Sequence, residues 1–253
     1  RIAIPDRIRL RGTAGADKGA FSAASTLSTD GGEIALQGQL DTRSEAYEIE
    51  LRCDSFPLNR FLPADSLGLL DLALQAGGSG FDPLRAQTRG NIRLQVDRAE
   101  FRGRDFGGVE LNANLEGGQL SGRLSDRDEA LRLLLLVSGT LTERKQEVRL
   151  TGNVFDFDLA ELGISPQKIG GSFALEAGAS ASDAGSYTAR IALDSIEVRT
   201  RHRTDRIRPT SLSLSSDTTA TRAKLASGDL SLAFVSPGPV DSLVPALTRS
   251  ADI

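Results

Sequence analysis

The chain has no tryptophan, no methionine, one cysteine and one histidine. Each scarcity removes a class of chemistry. A lone Cys53 supports neither a disulfide framework nor a cysteine-based zinc site. A lone His202 excludes histidine-rich metal centres and makes any Ser-His-Asp triad depend on one residue set among arginines. Aromatics make up 5% of the 253 residues, less ring area than a tightly filled globular core normally uses. The longest apolar run, Leu133–Val137, falls far short of the roughly 20 residues that span a bilayer. No signal peptide is visible, so any targeting segment is expected outside this piece. The 30 basic residues nearly balance 34 acidic ones, which argues against nucleic-acid binding.

What is present is alternation. In "NIRLQVDRAEFRGRDFGGVELNANLEGGQLSGRL" (91–124), Ile92, Leu94 and Val96 share one parity, while Arg93, Gln95 and Asp97 share the other. Such a two-residue period is the signature of strands with one apolar face. It predicts strands at 7–11, 20–28, 33–40, 46–52, 70–76, 90–97, 109–115, 120–124, 130–138, 147–153, 172–177, 187–193, 195–200, 211–215, 221–225 and 230–234. Gly and Asx turns separate them, and the Gly117–Gly118 pair in "LEGGQL" suits a tight hairpin because glycine tolerates positive φ. The order is that of a meander, not of βαβ units.

Two stretches break the alternation. "DSFPLNRFLPADSLG" (54–68) and "FDFDLAELGIS" (155–165) read as short helical turns, with Gly163 closing the second. They also disclose a repeat: "EIELRCDSFPLNRFL" is answered by "EVRLTGNVFDFDLAEL", "LDLALQAGGSG" by "GSFALEAGASA", and "NIRLQVDRAEFRGR" by "ARIALDSIEVRTR". The expected organisation is one continuous elongated domain. A partial repeat covers 1–46, full units cover 47–145 and 146–236, and a short segment with helical pattern covers 237–253. Arrays of this kind are quasi-one-dimensional and need caps. None is legible at Arg1, so the piece is expected to be an excerpt of a longer chain.

The residues that could carry chemistry have simpler readings. Asp156 and Asp158 flank Phe157 and suit capping of a helical turn better than an acid/base pair. "GGSGFDP" (77–83) lacks the lysine and the following helix of a phosphate loop. Cys53 sits among apolar neighbours and reads as a small buried side chain. "VRTRHRTDRIR" (198–208) reads either as a phosphate-binding patch or as a solvated strand and loop. "LRLLLLV" (131–137) is apolar on both faces, as in a strand covered on both sides by, for example, a short helix. No converging polar constellation remains for an enzyme, and no cofactor or metal is implied.

Three architectures would use the ribbon: a closed sandwich or barrel, a filled solenoid, or an open curved sheet with an apolar groove. Sparse aromatics with abundant Ala and Leu suit the last. The order of "GTAGADKGAFSAASTLSTDGGEIALQGQLDTRSEAYEIELRCDSFPLNRFLP", "DSLGLLDLALQAGGSGFDP" and "RPTSLSLSSDTTATRAKLASGDLSLAF" resembles the TamB proteins of the AsmA-like superfamily, the inner-membrane component of the translocation and assembly module, particularly the long Bacteroidetes type. The resemblance rests on patterns of alternation across nearly the whole chain, not on catalytic signatures. It implies an all-β, elongated, curled antiparallel sheet (a β-taco or trough) of repeated meander units with short helical insertions. It also implies a periplasmic location, an inner-membrane anchor in a segment not present here, and an outer-membrane barrel partner of the TamA/BamA type met through parts outside this piece. The implied role is carriage of phospholipid between the two membranes, support of outer-membrane protein assembly, or both. The alternative is a structural scaffold that pairs its sheet edges with client strands. By parity alone, the acyl-chain groove would be lined by Ile34, Leu36, Ile49, Leu51, Leu72, Leu74, Ile92, Leu94, Val96, Val109, Leu111, Leu115, Val148, Leu150, Phe173, Leu175, Ile191, Leu193, Leu212 and Leu214.

Overall fold

The computed structural model describes residues 7–61, 67–182 and 185–239. The strands are β1 (Ile8–Asp17), β2 (Ala20–Thr29), β3 (Glu33–Asp41), β4 (Ala46–Pro57), β5 (Leu67–Ser79), β6 (Arg89–Phe101), β7 (Arg104–Phe106), β8 (Val109–Glu116) and β9 (Gln119–Arg127). They continue as β10 (Leu131–Leu141), β11 (Lys145–Asp158), β12 (Gly170–Ser182), β13 (Tyr187–Arg199), β14 (Thr204–Ile207), β15 (Thr210–Ser216), β16 (Ala220–Ser227) and β17 (Leu230–Pro237). All 17 belong to one open antiparallel sheet, not closed into a barrel. Each long strand pairs with the next along the chain, so the sheet is a meander. β7 pairs only with the end of β6, and β14 only with the end of β13.

The chain's accessible surface is 16636 Å², against about 10,800 Å² for a compact chain of this mass. An extended sheet explains the excess, because most strands have no layer packed over them. Among the described residues the buried apolar side chains are Cys53, Phe56, Pro57, Ala130 and Val154. A filled solenoid core is therefore absent among the described residues.

The connections define two margins. The turns after β1, β3, β5, β8, β10, β12 and β15 form the upper margin; those after β2, β4, β6, β9, β11, β13 and β16 form the lower one. All five lie toward the lower margin, where bulges interrupt the ladders. Register shifts fall between Cys53 and Phe56 in β4 and between Val154 and Phe157 in β11. A bulge adds a residue to one strand and bends it. Ser55, at φ 47°, turns its N–H onto the Asp71 carboxylate, and Phe56 then stacks on Phe61 with centroids 5.1 Å apart. In β11 the corresponding bend brings Phe157 to 6.2 Å from Phe173. From β4 to β10 the strand lengths run 12, 13, 13, 3, 8, 9 and 11 residues; from β11 to β17 they run 14, 13, 13, 4, 7, 8 and 8.

Of the two expected helical turns, the first is met by a single 3-10 turn, Leu58–Arg60, with 62–66 outside the described residues. The second is a hydrogen-bonded turn in which the Asp158 carboxylate accepts from the backbone N–H groups of Ala160 and Glu161, and Gly163 takes φ 70°. Asp158 caps as expected, but Asp156 pairs with Arg199 instead. The strand expected at 195–200 is the end of β13, carried past a bend at Ser195, which has φ 51°. The segment 237–253 lies almost wholly outside the described residues.

Candidate apolar ligand face

In an antiparallel sheet, residues opposite one another across strands share a face. Register therefore decides what the alternation builds. One row crosses the sheet as Leu36, Leu51, Leu74, Leu94, Leu111, Leu124 and Leu135, seven leucines on seven successive long strands. Gly152, Leu175 and Leu193 continue it. The next row toward the upper margin runs Ala14, Ala23, Gly38, Ile49, Ala76, Ile92, Ala113, Gly122, Val137 and Leu150, then Ala177, Ile191, Leu212, Leu225 and Leu232. A third includes Phe21, Leu40, Tyr47, Leu115, Leu120, Val148, Leu214 and Phe234. None of the three rows carries a charged residue. The reverse face carries cross-strand polar pairs such as Arg89–Glu116, 3.7 Å apart, and Arg93–Asn112, 3.2 Å apart.

All twenty parity-chosen residues fall on this one face. Ile34, Leu72, Val96 and Val109 occupy the next row toward the lower margin from the leucine row, with Phe173 opposite Val154 in the same row. Leu36, Leu51, Leu74, Leu94, Leu111, Leu175 and Leu193 stand in the leucine row. Ile49, Ile92, Leu150, Ile191 and Leu212 stand in the second, and Leu115, Val148 and Leu214 in the third. Every one is half-buried or exposed; Leu212 keeps 47% of its surface. Burying such a side chain is worth roughly 1.5–3 kcal/mol, so the face retains a large unsatisfied hydrophobic potential.

Near the upper margin the face deepens into a concavity of about 760 Å³, bounded by Ala14, Phe21, Leu40, Tyr47, Ile49 and Phe81 among others. That is within the roughly 300–1,000 Å³ of small-ligand sites. No charged side chain lines it. The floor is low because Ala14, Ala23 and Gly38 face one another across β1, β2 and β3. Tyr47 opposes Gly78, which opposes Gly90. Without side chains there, the Tyr47 ring lies across both strands; a Cβ on Gly78 would meet its hydroxyl at 2.8 Å. Phe81, from the β5–β6 turn, stacks on Tyr47 at 6.2 Å. The twenty parity residues include Ile49 from this wall but neither Tyr47 nor Phe81. Parity says nothing of a loop residue such as Phe81. The Tyr47–Gly78–Gly90 register was the signal available for Tyr47.

The expectation that 131–137 is a strand covered on both sides fails. Leu134 and Leu136 project from the reverse face into a second concavity of about 730 Å³ shared with Glu176, Arg190 and Asp194, and Leu136 is 48% exposed. Its polar lining suits an aliphatic ligand less well. One carboxyl does stand on the apolar face: Asp126, opposite Leu133. Burial raises its pKa, while the hydrogen bond from the Asp128 N–H works against the shift. Burial likewise raises the Cys53 thiol, which keeps it protonated and unreactive. In the arginine-rich stretch, Arg199 pairs with Asp156 and Arg203 with Asp205 at 2.7 Å.

Among the described residues no cluster of His, Cys, Asp or Glu could hold a metal ion, and no helix is long and apolar enough to cross a membrane. Comparisons with protein-family models, with curated proteins and with solved structures return no match for the chain.

Proposed function

We propose that this chain is a segment of a bridge-like carrier whose apolar sheet face shelters phospholipid acyl chains across an aqueous gap. The observation that carries the reading is the charge-free surface of three rows crossing every long strand, half-buried or exposed rather than packed under a second layer. An acyl chain in water costs about 0.8 kcal/mol per CH₂. A continuous aliphatic face removes that cost at every step, and rows of like side chains present no deep minimum to trap the chain. Headgroups stay in solvent at the open side. The TamB-like pattern of the sequence supports placing the segment in a periplasm-spanning protein anchored in the inner membrane. There its other parts would meet an outer-membrane assembly barrel, and no catalytic step is involved.

The concavity under Tyr47 and Phe81 is the place where such a ligand is held longest. Pyrene-labelled phosphatidylethanolamine provides the test. The parent protein is expected to take up the probe, Leu94→Asp and Leu111→Asp to lose uptake with unchanged circular dichroism, and Phe81→Ala to retain uptake with faster release. Uptake indifferent to a carboxylate at both Leu94 and Leu111 would overturn the reading.

One observation favours a second role, as a scaffold pairing its edges with client strands. β1 and β17 each have one strand neighbour among the described residues, and β1 is exposed at all ten positions. Unpaired N–H and C=O rows are templates for strand addition. That role predicts sensitivity to proline substitutions in β1 or β17 and indifference to charge on the face.

A further inference from the structure

Contacts at the lower margin join parts of the chain that are not neighbours in the sheet. Arg104, at the start of β7, forms an ion pair with Glu161 in the turn after β11. Beside it, Arg102 donates to the Gly163 carbonyl at 3.5 Å. β7 continues the column of β8, so β9 and β10 stand between it and β11. At strand spacings of about 4.8 Å, a flat sheet would put those two columns on the order of 14 Å apart. Extended arginine and glutamate side chains span about that distance, so the ion pair bridges the lower ends of β9 and β10.

Register tells on which side. Leu70 has the same parity as Leu72 and so lies on the apolar face; Ala99 opposes it, and Phe101 and Arg104 oppose each other on that same face. The strap thus runs on the apolar side, across the lower ends of β9 and β10. The linker after β7 is tied down on the way, since the Gly107 N–H donates to Asp128 at 3.0 Å. The strap's far end rests on the Arg102–Gly163 hydrogen bond and on an ion pair at the surface, whose Arg104 and Glu161 side chains keep 43% and 57% of their area exposed. Exposed pairs of this kind are weak and salt-sensitive, as a contact that opens and closes must be.

We propose that the β6–β7 hairpin is a latch, with Arg104 and Arg102 as its tongue and the Glu161–Gly163 turn as its catch, and that it sets how far the lower margin folds over the apolar face. Closed, it narrows the mouth of the groove over the lower ends of β8 to β11. Open, it admits or releases a ligand sideways. This inference rests on the acyl-chain reading for its consequence, but not for its geometry.

The test uses the full chain in a Cys53→Ala background, spin-labelled at Gly103→Cys on the hairpin tip and Gln167→Cys beyond the catch. Glu161→Arg is expected to lengthen and broaden the distance distribution and to speed phosphatidylethanolamine probe exchange several-fold. The swapped pair Arg104→Glu/Glu161→Arg should restore both. Raising salt to 1 M, where screening acts over about 3 Å, should reproduce the open distribution in the parent but leave Glu161→Gln unchanged. A distance in Glu161→Arg equal to the parent's overturns the latch, as does an opened distance with unaltered probe exchange. If the parent takes up no probe at all, the transport reading falls, while the distances still decide whether the hairpin latches.

Discussion

Phe56 at the lower margin retains 2% of its surface, whereas Leu232 in the second apolar row retains 56%. Both are large apolar side chains on strands of the same sheet, and the difference lies in what the backbone does beside them. At Phe56 a bulge and a turn fold the chain back onto the strand, and Phe61 covers the ring. Along the central rows the ladders run without a register shift, and among the described residues no second layer covers them. A sheet held by ladder hydrogen bonds along its length and by small aromatic clusters at one margin can therefore leave its apolar face open. On the proposed reading, stability and ligand capacity rest on different residues, so they should respond differently to mutation.

Phe56→Ala should have the largest effect on folding, about 3–5 kcal/mol as for core Phe truncations generally, measured by urea unfolding of the full chain. Gly78→Val comes next. Its Cβ would clash with the Arg89 carbonyl of β6 and stand 2.8 Å from the Tyr47 hydroxyl, so it strains the β5–β6 ladder as well as unseating Tyr47. It costs about 1–3 kcal/mol or more as overpacking does, and should also weaken probe retention. Leu111→Ser, on the open face, should cost on the order of 1 kcal/mol or less, yet it should reduce probe uptake more than either of the others. Such an inversion between stability and uptake sharpens the contrast between margin and face. Parallel losses across all three variants would erase it.

The smallest effect is a pH dependence at the upper margin. The Asp217 carboxylate accepts from the Thr219 hydroxyl and from the Thr219 and Ala220 N–H groups, which hold its pKa down to about 2. Because the folded pKa lies below the ordinary value near 3.8, the stabilisation is present above that value. It is lost as pH falls through about 2. An NMR titration should place the Asp217 midpoint near 2, and Thr219→Ala should move it upward. Probe uptake should not change over this window if the face works independently of its turns.

Much of this was legible in the sequence because a period of two maps directly onto a sheet face. Ile92, Leu94 and Val96 declared their side, and the glycine and Asx turns marked the strand ends. β7 and β14 were not legible, being strands of 3 and 4 residues too short to show a period. The expected helical turns at 54–68 and 155–165 are shorter than the pattern suggested: a 3-10 turn at Leu58–Arg60 and a capped turn after Asp158 follow strand ends in which Phe56 and Phe157 stay in the ladder. Ser195 hid its bend because a non-glycine residue at positive φ carries no turn signature. For the candidate site, parity placed twenty residues on one face but missed Phe81. It could not show that 131–137 would be left uncovered, since coverage depends on segments far away in the chain.

Native mass spectrometry of the purified chain tests the central claim most directly. The account predicts adducts of phospholipid mass on the parent, fewer on Leu111→Ser, and none on a Leu94→Asp/Leu111→Asp double variant that retains its strand content. A parent chain that is folded and free of lipid, even after incubation with phosphatidylethanolamine vesicles, would contradict it.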